Sequence, residues 1–303
     1  MLARPRAREV SARRFLQLAV VSLGSLYVVV TTGAVVRLTA SGLGCDNWPR
    51  CGDKPFPEKG GHAFIEFGNR VVALTAIVLT LVTWLVSRRV RGLPVPVRWI
   101  AFGAFFGSIV QIPLGGLTVI FELNPWLVMS HFLLALAVIA AAVAVVVEAS
   151  GHLVGRSAPL GPAWIRAYAL VGVAACAALV VTGAIATGSG PHSGGQDIPR
   201  LGIDVADAVY VHVRATSVFG VTLLLIGWYL WRRRRELPAI AVAGLVLLGV
   251  LGAQMIVGEV QYRSALPWWL VLVHVSLAAA IWVLTIGIVH ALWRPPALDF
   301  GRQ

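Results

Sequence analysis

The chain has 303 residues, of which 58% are hydrophobic and only 13% are charged. Since a soluble domain carries about 25% charged residues, this composition excludes an ordinary soluble protein and predicts an integral membrane protein. The net charge of +12 does not indicate a nucleic-acid partner, because most basic residues lie in alternate loops between apolar segments.

Eight apolar segments follow one another along the chain. Each is close to the roughly 20 residues that a helix needs to cross a bilayer. We therefore predict an all-α integral membrane fold with eight transmembrane helices, at about residues 15–37, 64–87, 99–121, 127–149, 164–187, 206–231, 238–258 and 268–292.

Arginines predict how these helices are oriented. They cluster before the first helix, after the second, fourth and sixth helices, and after the last one. Because positively charged loops remain in the cytoplasm, we expect both termini there, in a multi-pass protein of the cell membrane. The clusters include Arg4, Arg6, Arg8, Arg13 and Arg14, then Arg88, Arg89, Arg91 and Arg98, then Arg232 to Arg235, and finally Arg294 and Arg302.

The two halves of the chain resemble each other, which indicates an internal duplication. Four predicted helices per half is an even number, so both halves begin on the same side and are parallel repeats. We predict two pseudo-symmetric four-helix bundles, an N-terminal one at 1–155 and a C-terminal one at 156–303. A shift of 143 positions pairs Asn69 with His212, Gln111 with Gln254, Gly115 with Gly258, Trp126 with Trp269 and His131 with His274.

Two histidines of the second half lie at one depth in the membrane. His212 and His274 are each about six residues, or roughly 9 Å, inside the outer ends of their helices. Two imidazoles facing each other in a bundle core are suited to grip a haem iron from both sides. The alternative is a proton-relay pair, but the counterpart of His274 in the first half favours haem. No C-x-x-C-H motif is present, so the haem is expected to be non-covalent.

The first half repeats this site in altered form. His131 corresponds to His274, whereas Asn69 stands where His212 would be, and Glu66 lies one turn outward of Asn69. One half thus offers two strong ligands, and the other offers one ligand with a carboxylate nearby. This asymmetry indicates one cofactor haem and one reacting haem, both toward the outer face.

Three further groups of side chains have two interpretations each. Arg70 and Arg214 lie near the haem depth and either bind haem propionates or extend toward the lipid headgroups. Cys45 and Cys51 flank a short outer loop, as a structural disulfide or as a redox-active pair. His152 and His290 lie toward the arginine-rich side, and no role is assigned to them.

Taken together, these motifs resemble those of the bacterial haem A synthases. The matching features are "TGAVVRLTASGLGCDNWPRC", then "IEFGNR", His131, "TGSGPHSG", His212 and His274, in this order over nearly all eight helices. The resemblance implies haem b as cofactor on His212 and His274, and haem O as substrate in the first half.

The resemblance also implies an activity and partners. The C8 methyl of haem O is oxidised to a formyl group by successive hydroxylations, giving haem A for cytochrome oxidase assembly. Haem O synthase supplies the substrate, and a membrane electron carrier takes up electrons. Glu66 matches the family's essential carboxylate, and Cys45 and Cys51 match its cysteine pair.

Asn69 departs from the family pattern, since better-known members carry a histidine there. Three explanations remain: His131 alone holds the substrate haem, another group such as His62 supplies the second bond, or activity has been lost. An intact Glu66 favours the first. The competing function is a b-type cytochrome that carries electrons to or from quinone without altering haem.

Overall fold

The computed structural model describes residues 9–45, 47–53, 56–57, 60–195 and 198–297. The regular structure of these residues is eight long α-helices, each apolar enough to cross a membrane, which confirms the predicted fold class. Arg4, Arg6, Arg8 and Arg302 lie outside the described residues. The helices are α1 (Ala12–Leu38), α2 (Gly61–Ser87), α3 (Val95–Ile120), α4 (Pro125–Val154), α5 (Ala163–Ser189), α6 (Val205–Arg232), α7 (Pro238–Arg263) and α8 (Trp268–Trp293).

Short polar residues define where three of these helices begin. The Ser11 hydroxyl accepts a hydrogen bond from Arg14 N at the start of α1. Asn124 caps α4 in the same way, and Asp204 caps α6. Such caps satisfy backbone N–H groups that have no partner within the helix. They explain why the helix starts lie within a few residues of the predicted ones.

Within each half, the four helices form a closed ring. In the first half α1 packs on α2 and α4, and α3 also packs on α2 and α4. In the second half α5 packs on α6 and α8, and α7 packs on the same two helices. Consequently α2 lies diagonally across from α4, and α6 lies diagonally across from α8.

The two rings meet along α4 and α8. These two helices pack on each other, while α1 also contacts α8 and α5 also contacts α4. Buried Ile139 and Ala279 belong to the apolar core of this interface. Hydrogen bonds that cross it include those from Trp282 Nε1 to the Leu136 carbonyl and from the Tyr27 hydroxyl to the Ser276 carbonyl, both 2.8 Å long.

One unusual backbone conformation occurs twice, 143 positions apart. Glu122 and Leu123, between α3 and α4, have φ values of 49° and 58°, and Ala265 and Leu266, between α7 and α8, have 59° and 58°. Positive φ is uncommon for residues other than glycine. The repetition agrees with the sequence offset. The pseudo-symmetry of the bundles, the boundary at 155 and the cytoplasmic location of the termini remain predictions.

A buried ion cluster joins the halves on the arginine-rich side. Glu148 of α4 is only 1% exposed. Its carboxylate pairs with Arg156 and accepts hydrogen bonds from His290 Nε2 at 2.9 Å and Arg294 Nε at 2.6 Å. Three positively charged or protonatable groups from the inter-half loop and from α8 and its end thus converge on one carboxylate.

Candidate functional site

The histidine pair of the second half lies across the core of its ring. His212 comes from α6 and His274 from α8, and their ring centroids are 6.3 Å apart. A bond between an imidazole nitrogen and a transition metal is about 2 Å long, so two rings on opposite sides of one iron have centroids about 6 Å apart. The observed separation therefore fits two axial ligands of a single haem.

Each of these histidines is backed by a glycine of the neighbouring helix. A Cβ atom at Gly183 of α5 would lie 2.9 Å from Cε1 of His212. A Cβ atom at Gly258 of α7 would lie 3.0 Å from Cε1 of His274. Only glycine lets the imidazoles pack this close to the backbone of the adjacent helix.

The polar atoms of the pair also fit a metal-binding role. The Thr182 hydroxyl lies 3.3 Å from Nδ1 of His212 and can fix its ring orientation. Nδ1 of His274 is buried, makes no hydrogen bond to another described residue and faces Gly258 of α7. The other ring nitrogen, Nε2, is thus the one that would bind a metal held between the two imidazoles.

The first half contains a matching arrangement around His131. A Cβ atom at Gly115 of α3 would lie 3.3 Å from Cε1 of His131. Nδ1 of His131 is buried and, like that of His274, makes no hydrogen bond to another described residue. Gln111 of α3 donates to the His131 carbonyl at 3.1 Å and thereby ties the two helices together.

Asn69 occupies a position built like that of His212. The Thr32 hydroxyl donates to Asn69 Oδ1 at 2.7 Å, as Thr182 contacts His212. A Cβ atom at Gly33 would lie 4.0 Å from Asn69 Oδ1. The threonine–glycine pair of the histidine site is therefore retained in the first half, but a shorter amide fills it.

Glu66 is buried and held by the loop between α1 and α2. Its side chain is one turn from Asn69 on α2, with the residue 5% exposed. One carboxylate oxygen accepts a hydrogen bond from Cys45 N at 2.8 Å, and the other pairs with Arg70. Arg70 also donates to the carbonyls of Pro49 and Arg50. The loop, Glu66 and Arg70 thus form one polar assembly at the end of α2.

Cys45 and Cys51 form a disulfide in this loop, which confirms the predicted pairing. Both cysteines are buried beside Ala63 of α2. Trp48, between them, lies so close to α3 that a Cβ atom at Gly116 would be 2.7 Å from its indole ring. The disulfide loop consequently lies over the end of the first ring at which α2 begins and α3 ends.

Two other predicted residues, Arg214 and His62, lie away from the interiors of the two four-helix rings. Arg214 is exposed, and its guanidinium carbon is 3.0 Å from the centroid of the Tyr210 ring. This placement agrees with extension along the lipid-facing surface. His62 Nδ1 is 2.8 Å from the hydroxyl of Ser41. His62 is therefore already engaged at the start of α2, two turns from Asn69.

Arg37 is a residue that the sequence analysis did not select. It lies in the last turn of α1, one turn after Gly33, and is partly buried. Its guanidinium donates to the carbonyls of Thr187, at 3.0 Å, and His192, at 2.8 Å. Arg37 therefore joins the two halves where α1 and α5 end. An arginine inside a run of apolar residues was the available signal.

Comparison with known proteins assigns this architecture to a family. The family model described as cytochrome oxidase assembly protein, COX15-CtaA, matches residues 16–60 and 56–191, more than half of the chain. The chain belongs to this family. The COX15-CtaA match covers α1 to α5, which include Glu66, Asn69 and His131.

Individual relatives extend the COX15-CtaA similarity over the second half. The chain is 30% identical to the heme A synthase of Symbiobacterium thermophilum, over 85% of this chain and 88% of that protein. It is 26% identical to the heme A synthase of Alkalihalophilus pseudofirmus, over 90% of each. The match to the heme A synthase of Lysinibacillus sphaericus is 32% identical but covers 38% of each chain.

Proposed function

We propose that this protein is a haem A synthase, which oxidises the C8 methyl of haem O to a formyl group for cytochrome oxidase assembly. The family and the names of its nearly full-length relatives support this function. The observation that carries the proposal is the difference between the halves. The second half offers two facing imidazoles, whereas the first half offers His131, an amide and a buried carboxylate.

The second half would hold haem b non-covalently through His212 and His274. Haem b held by these two residues would supply one-electron transfer. Gly183 and Gly258 keep both imidazoles close to the neighbouring helices, and Thr182 orients one of them. A membrane electron carrier would exchange electrons with this site. We place both haem sites toward the outer face, because the charge distribution puts these helix ends there.

The first half would receive haem O, delivered from haem O synthase. His131 binds the substrate iron from α4, and Asn69 faces it from the diagonal helix α2. An amide is a weak ligand compared with imidazole, so one side of the substrate remains accessible for chemistry. Each hydroxylation removes two electrons from the methyl carbon, which pass to the membrane electron carrier, and adds the oxygen of one water molecule with release of two protons. The resulting gem-diol loses water to give the aldehyde.

Glu66 is the proposed catalytic residue. An ionised carboxylate is an acceptor only, and each oxygen of Glu66 has a donor, from Cys45 N and from Arg70. These donors fix the carboxylate in one orientation. In that orientation Glu66 stabilises positive charge that develops at the methyl carbon, and it accepts a proton that the oxidation releases. Arg70 thus positions Glu66, and its predicted contact with a propionate remains a further proposal, as does that of Arg214 with haem b.

Replacement of Glu66 tests this assignment. In cells that supply haem O, we expect Glu66→Ala to lower haem A output by about a hundredfold or more, because a preorganised charge is lost. Haem O should accumulate while haem b stays bound, as measured by haem extraction and mass analysis. Glu259→Ala is the matched control, since Glu259 forms the same i,i+4 pair with Arg263 on an exposed surface.

The outcome also separates this function from that of a b-type electron carrier. If the protein is a haem A synthase, cells that supply haem O contain haem A when they express it and none when they do not. If it is an electron carrier, haem extraction yields haem b and no haem A from cells of either kind. Normal haem A output from the Glu66→Ala variant would remove Glu66 from the mechanism.

A further inference from the structure

A concavity opens on the arginine-rich side of the first half, far from the haem sites. It has a volume of about 280 Å³ and lies between the α2–α3 turn and the segment before α1. Val10 N donates to the Arg89 carbonyl at 3.1 Å, which holds that segment across the turn. The charged residues of its wall are Glu9, Arg88, Arg89, Arg91 and Arg98.

The guanidinium groups in this concavity are not neutralised by acidic side chains. Four arginines face one carboxylate, and none of the four takes part in an ion pair within the described ranges. The Nε atom of Arg98 is buried and makes no hydrogen bond to another described residue. A buried donor without a partner is costly, so an anion that reaches Arg98 would be stabilised.

An aromatic surface continues from the concavity along the membrane-facing side of α2 and α3. Trp84 lies one turn before Arg88, whose guanidinium carbon is 5.7 Å from the Trp84 ring centroid. The Trp84 ring packs on Phe102, with centroids 5.0 Å apart. Trp99 and Phe106, which are 66% and 56% exposed, extend this surface. The arginines thus lie where the headgroup of a lipid would be, and the aromatic side chains lie where its acyl chains would be.

We propose that this concavity binds the phosphodiester headgroup of an anionic phospholipid, with its acyl chains against Trp84, Trp99 and Phe106. The lipid comes from the leaflet that the arginine-rich loops face. Guanidinium groups bind phosphate oxygens through paired N–H donors, and basic pockets at the ends of transmembrane helices suit anionic headgroups. A free phosphate ion would match the charges but would leave the aromatic surface uncovered.

A second arginine cluster on the same side provides a matched control. Residues 232–235 follow α6 and carry the same number of arginines. Three of their guanidinium groups are engaged by aromatic rings or a carboxylate: Arg232 by Trp228 at 4.7 Å, Arg234 by Trp231 at 4.5 Å and Arg233 by Glu236. Among the described residues, Arg88 is the one arginine of the concavity with such a contact, to Trp84 at 5.7 Å. General attraction to an anionic membrane would involve both clusters, whereas a built site involves only the first.

Lipid titration of the purified full-length protein tests the proposal. Protein stripped of lipid is titrated with phosphatidylglycerol or phosphatidylcholine, and bound lipid is counted by native mass spectrometry. We expect preferential binding of one phosphatidylglycerol molecule. The triple variant R88Q/R91Q/R98Q should bind it about tenfold more weakly or worse, since each basic residue near a membrane surface contributes several-fold. The R232Q/R234Q/R235Q variant should bind like the parent protein.

Three results would overturn the proposal. Equal losses in both triple variants would indicate general charge attraction, and equal binding of phosphatidylcholine would remove the headgroup specificity. Displacement of the lipid by excess inorganic phosphate would indicate a small-anion site. If the first triple variant does not fold, as judged by circular dichroism, the single variant Arg98→Gln replaces it. Unchanged phosphatidylglycerol binding by that variant would equally contradict the proposal.

Discussion

Glycines next to the proposed ligands explain how bulky imidazoles fit between closely packed helices. Gly33, Gly115, Gly183 and Gly258 each face one of the four ligand positions from a neighbouring helix. Glycine lowers helix stability by about 1 kcal/mol relative to alanine. At Gly115, Gly183 and Gly258, glycine is therefore explained by the space that the facing imidazole requires, and not by helix formation, whereas the shorter Asn69 leaves room at Gly33.

Gly183→Ala should reduce haem b binding while Gly33→Ala should not. A methyl group at Gly183 meets His212 at 2.9 Å and displaces the ring, whereas at Gly33 the nearest atom is 4.0 Å away. Alanine also stabilises a helix, so loss of haem in Gly183→Ala could not be ascribed to a weaker helix. The measurement is the ratio of haem b to protein in the two purified variants. Equal ratios would contradict the proposed ligand role of His212.

Asn69→His should convert the first site into a copy of the second. Thr32 and Gly33 already form the environment that Thr182 and Gly183 provide for His212. An added imidazole would give the substrate iron a second strong ligand. The absorption spectrum of the protein loaded with haem should gain a second low-spin component, which Asn69→Gln as the control should lack. A spectrum unchanged by Asn69→His would place residue 69 away from the iron.

The candidate ligands could be predicted from sequence, but the contacts around them could not. His131, His212 and His274 are recognisable because polar residues in apolar helices are rare and recur at one offset. The two hydrogen-bond donors to Glu66 depend on how the Cys45–Cys51 loop folds back onto α2. Helical periodicity in the sequence does not predict the conformation of that loop. The link from Arg37 to the Thr187 and His192 carbonyls likewise depends on the packing of two halves.

At the scale of helices, the ion cluster around Glu148 links α4 to the end of α8. His290, to which the sequence analysis gave no role, contacts this carboxylate together with Arg156 and Arg294. The single acidic residue near the end of the apolar α4 segment was a signal, because such residues pair with one another inside membranes. Its partners are 8 to 146 positions away, which no helical spacing predicts.

Glu148→Gln should destabilise the protein measurably. The substitution removes the charge from several hydrogen bonds of a buried group, and we expect a cost of about 2 kcal/mol, because bonds to charged groups contribute about 1.5–3 kcal/mol. The measurement is the midpoint of thermal unfolding in detergent. Glu236→Gln breaks the exposed pair with Arg233 and should cost less than about 1 kcal/mol. Equal midpoints for the two variants would show that the buried cluster does not stabilise the interface.

At the scale of the whole molecule, the two four-helix rings have the same order of helix contacts but different side chains on their diagonal helices. The first ring has Asn69 and His131 there, and the second has His212 and His274. Helix number, order and approximate ends follow from hydrophobic length alone, so they were predictable. The packing of α4 against α8 was not, because apolar faces in a membrane give no periodic signal of which neighbour they contact. The proposed division of labour between cofactor and substrate halves rests on this shared frame with unequal ligands.

The optical and electron paramagnetic resonance spectra of purified His274→Ala protein test this division most directly. We predict that the low-spin haem b signal of the parent protein disappears from this variant, because one of two axial imidazoles is lost. His152→Ala, which alters a histidine bonded to the Arg91 carbonyl on the arginine-rich side, should retain the signal. An unchanged low-spin signal in His274→Ala would contradict the assignment of haem b to the second half.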